Sequence, residues 1–193
     1  TFKFPSLLKF DETRQDQIWA RKNLTQLFQI KATPCDTQMR TRLDNIPPKV
    51  IRPAYRKIFT LLQRGKVLEH FLFLEKHYLI SADGTGVFSS SQVHCKNCCV
   101  KEHKDGSKTY YDQILGAALV HPDQQVVFPI APEPILKHDG AKKNDCERNA
   151  SKRWVADFRR EHPHLPVVIV EDCLASNAPH IAELTEHNMR YIL

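Results

Sequence analysis

The chain has 193 residues, enough for one domain or for one domain with a small accessory unit. Its 41% hydrophobic and 26% charged residues are those of a globular protein and exclude wholesale disorder. The longest central apolar run, Phe71-Leu72-Phe73-Leu74, is cut off by Glu75 and Lys76, far short of the roughly 20 apolar residues a membrane span needs. The net charge of +6 is concentrated in one window, where Arg40, Arg42, Lys49, Arg52, Arg56, Lys57, Arg64 and Lys66 stand against Asp44 alone.

The N-terminal stretch TFKFPSLLKFDETRQ has lysines and a proline inside its apolar part, so it does not read as a secretory signal, and a start at Thr1 suggests a fragment or a trimmed product. Residues 16–30 place Ile18, Leu24, Leu27 and Phe28 at helical spacing. A second short helix is expected from Asp36 or Thr37, either of which suits a cap, to Pro47-Pro48. A third is expected from Pro53 through Ile58, Leu61, Leu62 and Leu68, tolerating Gly65. These three helices carry the basic window. Each phosphate neutralised by such a patch releases condensed counterions, so Arg40, Arg42, Lys49, Arg52, Arg56 and Lys57 are candidates for DNA binding. A solvated basic helix face is the other reading.

From His77 the pattern changes. HYLISAD reads as a buried strand ending in Asp83, with a turn at Gly84-Thr85-Gly86. Residues 113–120 and 125–136 read as two strands about the turn His121-Pro122-Asp123. Residues 145–162 form the clearest helix, with Cys146, Ala150, Trp154 and Phe158 four apart, Asn144 and Glu147 placed to cap it, and Pro163 to stop it. Lys143 and Arg148, near its start, are candidates for contacts to DNA phosphates, against the alternative of a solvated face. PVVIVED is a continuous apolar run, as in a strand buried on both faces, ending in Asp172. Ser176-Asn177 caps a helix with Pro179 in its first turn, and RYIL begins a last strand.

If the first and fourth of these strands are parallel neighbours, Asp83 and Asp172 emerge at one sheet edge, where α/β proteins place their ligands. Alternation along the strand turns neighbouring Glu171 the other way. Two adjacent carboxylates need a proton or a cation between them, and oxygen ligands select magnesium or manganese. A pair of such ions suits in-line displacement at a phosphodiester.

The runs SADGTGVFSS, YYDQILGAALVHPDQQVVFPIAPEPI, KNDCERNASKRW and EDCLASNAPHI, in that order, resemble the catalytic core of bacterial insertion-sequence transposases of the DDE type. PCDTQMRTRLDNIPP, upstream, resembles the segment preceding that core. The resemblance implies an α/β fold with a ribonuclease-H-like mixed sheet and flanking helices over residues 77–193, preceded by a helical DNA-binding or accessory region over residues 1–76. It implies that Asp83 and Asp172 bind Mg2+ or Mn2+ for two-metal cleavage and strand transfer of an insertion sequence. DNA, as transposon ends and target, is the implied partner, within a homodimer or larger complex and a bacterial cytoplasmic setting. The family's third carboxylate, a glutamate on a helix after the fifth strand, has no counterpart in these residues; the expectation is a core incomplete at its C-terminus, with little activity alone. A nuclease that cuts without joining and a non-catalytic DNA-binding remnant are the alternatives.

Six cysteines are present, three of them crowded into Cys95, Cys98 and Cys99, a spacing that speaks for metal or reduced thiols and a reducing compartment. Cys95, Cys98 and His103 are at zinc-like spacing, with His94, Cys99 or Asp112 to supply a fourth ligand. Reduced thiols in a loop are the alternative.

Overall fold

The computed structural model describes residues 4–74, 76–95, 97–137 and 146–193. The chain forms two compact units, Thr1–Val50 and Ile51–Leu193. No helix among the described residues is long and apolar enough to cross a membrane.

The first unit holds α1 (Leu7–Asp16), α2 (Ile18–Phe28) and α3 (Asp36–Leu43). The Ser6 hydroxyl accepts from the Lys9 amide at 3.1 Å and starts α1, which apolar periodicity did not reveal because its one buried residue is the charged Asp11 while Leu8 is exposed. Buried Asp11 on α1 pairs with Arg14 and accepts from the Asp36 backbone amide at 3.3 Å, so one carboxylate ties α1 to the start of α3. Asp36 is thus the first residue of α3 and not a side-chain cap.

The second unit starts with α4 (Arg52–Arg64). The helix ends at Gly65, and a 3-10 segment over Val67–Phe71 takes over, so the glycine stops the helix that the sequence carried through it. Phe59, Leu68 and Phe71 belong to the same buried core as the sheet, which places α4 and the following turn in the sheet-bearing unit.

Among the described residues seven strands make one mixed sheet: β1 (Leu72–Phe73), β2 (His77–Ser90), β3 (Cys99–Glu102), β4 (Lys108–Val120), β5 (Phe128–Ile135), β6 (Val167–Val170) and β7 (Arg190–Ile192). The order is β3-β4-β2-β6-β7, with β1 on β2 and β5 on β4. β2 and β4 form a long antiparallel ribbon from Leu79 opposite Val120 to Ser90 opposite Tyr110. The expected turn at Gly84-Thr85-Gly86 is therefore not one: β2 runs through it, with a register shift only between Gly86 and Phe88, because β4 offers a pairing edge along the whole length. The outer edge of β4 carries β3 against residues 108–111 and β5 against 113–119. β6 is parallel to β2 and β7 is parallel to β6.

The connection from β5 to β6 contains α5 (Glu147–Glu161), and the one from β6 to β7 contains α6 (Ala178–Glu186). Ala150, Trp154 and Phe158 are buried as their spacing predicts, and the Trp154 indole donates to the Ala131 carbonyl at 3.0 Å. Large apolar side chains each contribute about 1.5–3 kcal/mol on burial, which fixes α5 against the sheet. Cys146 is the N-cap of α5; the expected cap Asn144, like Lys143, lies outside the described residues. Asn177 caps α6, its side-chain oxygen accepting from the His180 amide at 3.2 Å.

Candidate active site

β6 pairs with β2 at a constant offset, Tyr78 with Val167 through to Ser81 with Val170. Asp83 follows the last residue of β2 paired with β6, Ser81, by two positions, and Asp172 follows that of β6, Val170, by two. Both line one cleft of about 400 Å³ at the end of the parallel strands. Its floor comes from β2 and β4, its sides from the first turns of α5 and from the segment between β6 and α6. Asp83 lies within β2 and not at its end, so β4 holds it from the far side by pairing across Gly116.

After Val170 the chain leaves the sheet. Asp172 caps a 3-10 turn over Cys173–Ala175, its Oδ1 accepting from the Leu174 amide at 3.0 Å, which orients the carboxylate. With the strand finished, alternation no longer governs Glu171, and it lines the same cleft. There its Oε2 meets Nε2 of His180 at 2.5 Å, both side chains nearly buried. His180 comes from the first turn of α6, placed by the Asn177 cap, and nothing in its sequence surroundings distinguished it.

A further acid enters from α5. Glu147 reaches across Gly84 so closely that a Cβ on the glycine would stand 1.8 Å from its Oε1. The sequence placed Glu147 in the cap of α5; it also lines the cleft with Asp83 and Asp172. Arg148 lies beside it and is the guanidinium of the cleft. Asp83, Asp172 and Glu147 share the cleft, but their ligand atoms are not gathered within 4.8 Å of one another; carboxylate oxygens are hard donors, suited to magnesium or manganese and unsuited to a soft metal.

Gly84→Ala is expected to push the Glu147 side chain aside, since the clash is with its flexible end, and so to weaken Mn2+ binding while changing unfolding free energy by less than about 1 kcal/mol. Gly86→Ala, where a Cβ meets nothing within 4 Å, should leave both unchanged. Manganese titration followed by paramagnetic resonance, with denaturant unfolding alongside, checks the pair.

The basic candidates divide. Arg42, Lys49, Arg56 and Lys57 are exposed, and Arg40 is exposed with an ion pair to Asp36 at 3.3 Å. Arg52 is not available to phosphates. It is buried, with Nε 2.8 Å from Glu161, and Asp157 and Glu133 at 3.6 and 3.8 Å from its other end.

The cysteine cluster also differs from expectation. Cys95, Cys98 and Asp112 bring their ligand atoms within 4.8 Å of one another. His103 is not among them; it is hydrogen-bonded to the Thr109 hydroxyl at 2.8 Å, across the β3-β4 hairpin. His94 stacks on Tyr110 with ring centroids 4.1 Å apart, and the buried Cys99 thiol donates to the Ile135 carbonyl at 3.6 Å. Burial first, then the Cys95 side chain, push the Cys98 thiol up to about 12, with Asp112 adding in the same direction.

No family model matches the chain, and no curated protein matches it. Among solved structures it is similar to the Mos1 transposase in a pre-cleavage transpososome, with 11% identity, a TM-score of 0.30 and 99% of this chain covered. It is similar also to the Mos1 strand transfer complex, with 12% identity, a TM-score of 0.31 and 100% covered. The chain spans 60% of the length of both.

Proposed function

We propose that this protein is a polynucleotidyl transferase of the DDE transposase type, with Asp83 and Asp172 as paired metal-binding carboxylates that cut DNA and join it elsewhere. The observation that carries the reading is that Asp83, on β2, and Asp172, in the turn just after the parallel strand β6, line one cleft that also contains Glu147 and Arg148. The strand order β5-β4-β2-β6-β7, three antiparallel strands followed by two parallel ones, supports the ribonuclease-H-like reading of the sheet.

Magnesium or manganese bound by Asp83, Asp172 and Glu147 would supply Lewis-acid activation of the attacking oxygen and charge stabilisation at the leaving oxygen. The protein's own residues do the rest. The Leu174 amide holds the Asp172 carboxylate in place. Pairing of β2 with β4, Asp83 opposite Gly116, fixes Asp83. Gly84 leaves the space that Glu147 crosses. His180 occupies Glu171, so that the adjacent acid is held against α6 and does not compete for the cation. Arg148 supplies a fixed positive charge for a phosphate oxygen entering the cleft.

The test is incubation with Mg2+ or Mn2+ and DNA of the chain extended to include the third carboxylate that the resemblance implies, with products resolved by size; these 193 residues alone are expected to show little activity. Strand-transfer products joining a donor 3′ end to target DNA are expected. Hydrolysed DNA alone would identify a nuclease, and no metal-dependent product would remove the catalytic reading.

Exposed Arg42, Arg56 and Lys57 are proposed to bind DNA phosphates. Charge reversal at each should weaken DNA binding without regard to sequence and lower the salt slope of log affinity by about 1 for each phosphate no longer neutralised. Fluorescence anisotropy across a salt series measures this; an unchanged slope in all three variants would dismiss these residues as phosphate contacts.

A further inference from the structure

We infer that Cys95, Cys98 and Asp112 hold a zinc ion that staples the loop before β3 to β4, at the point where the edge of β4 changes partner. The site shares no residue with the carboxylate cleft and does not depend on the activity proposed for it.

The placement follows from register. β3 covers β4 over residues 108–111 and β5 covers it over 113–119, so Asp112 is the residue between the two. Cys95 and Cys98 immediately precede β3, and Asn97 between them accepts at its carbonyl from the Lys137 amide just beyond β5, at 3.0 Å. The loop therefore lies over the seam of the sheet, and its two sulfurs face the one acid at that seam.

Two chemistries suit a pair of sulfurs at 3.0 Å, a metal and a disulfide. Tetrahedral zinc with Zn–S near 2.3 Å sets two sulfurs about 3.8 Å apart, so uptake of the ion requires a separation of about 0.8 Å, within reach of the exposed Cys95 side chain. A disulfide, at about 2.05 Å, requires a similar movement inward. Asp112 decides between them. Its Oδ1 is buried and has no hydrogen-bond partner among the described residues, while the group as a whole lies within 4.8 Å. A disulfide has no use for a buried carboxylate oxygen, whereas a cation neutralises it and draws on both sulfurs. Two thiolates with one carboxylate prefer zinc to magnesium or calcium. On binding, the two thiols release their protons to solvent, two S–Zn bonds and one O–Zn bond form, and water fills the remaining position beside exposed Cys95.

The experiment uses the whole chain, purified under reducing conditions, with zinc as the probe and cobalt(II) as its spectroscopic substitute. One tightly held zinc per chain is expected, and cobalt(II) should show an intense thiolate-to-metal charge-transfer band that Cys146→Ser, in the carboxylate cleft, leaves unchanged. Asp112→Asn and Cys95→Ser should each lower zinc affinity by more than about tenfold, the lower end of what loss of even an outer-sphere partner costs a metal site. His103→Ala and Asp172→Asn should retain the zinc and the band. Chelation should raise hydrogen exchange in Cys99–Glu102 and in the loop before it, without unfolding Trp154 and its surroundings. The inference is overturned by a chain that takes up no zinc, by a Cys95–Cys98 disulfide that persists in the reducing buffer, by native affinity in Asp112→Asn, or by loss of the ion in His103→Ala.

Discussion

In the chain extended to include the missing glutamate, Asp83→Asn and Asp172→Asn are each expected to reduce metal-dependent DNA cleavage by about a thousandfold, while leaving DNA affinity and thermal unfolding close to those of the parent chain. A metal ion stabilises transition-state charge by several kcal/mol, and loss of about 4 kcal/mol corresponds to about 10³ in rate. Removing one ligand charge from a site with so few carboxylates should forfeit most of that. Asp83 is exposed on β2, so its substitution spares the core. Asp172 also caps the turn over Cys173–Ala175, and asparagine keeps a side-chain oxygen for the Leu174 amide, which separates the charge from the cap. Glu147→Gln should fall in the same direction with a smaller loss. Steady-state cleavage assays beside Mn2+ binding are the measurement; parental rates in both aspartate variants would refute the proposed active site.

Arg52→Met should destabilise the protein by about 3–5 kcal/mol, the cost of removing one partner from a buried ion pair and stranding the other. Arg52 is 5% exposed and is surrounded by Glu133 from β5 and by Asp157 and Glu161 from α5. Its Nε and Nη2 donate to Glu161 at 2.8 and 3.2 Å, a forked pairing that a lysine cannot reproduce. Arg153, 2.7 Å from Glu133, and Arg160, 2.7 Å from Asp157, supply the remaining positive charge from the more exposed side. They cannot replace Arg52 at the centre of the cluster, so three carboxylates would be left with two cations. Arg56→Met, on the exposed face of the same helix, should stay within about 0.5 kcal/mol of the parent. Urea unfolding of the two variants compares them directly; similar midpoints would mean that the buried cluster contributes nothing.

This contrast also marks the limit of what neighbouring residues can specify. A basic window counts Arg52 and Arg56 alike, because charge is a local property. Whether a charge is presented to solvent or neutralised inside depends on acids at positions 133, 157 and 161, which the window does not contain. The same holds for the zinc-like spacing. His103 is the nearest histidine along the chain after the cysteines, but the β3-β4 hairpin carries it to Thr109 and brings Asp112 back instead. At Gly84-Thr85-Gly86 the local preference for a turn is overridden by the pairing edge of β4.

By itself, the sequence determined the order of β2, β4, β5, α5, β6, α6 and β7, without β1 and β3, and also the buried face of α5, the cap of α6, and the two strands that carry Asp83 and lead to Asp172. These rest on period and capping, which operate within a few residues. Only the tertiary structure decided that β2 and β6 are parallel neighbours, that Glu147 crosses Gly84 into the cleft, that His180 engages Glu171, and that Arg52 is interior. Each depends on which distant strands and helices lie side by side, and that choice is made by burial of the shared core around Trp154, Phe158 and Ile169, not by any local pattern.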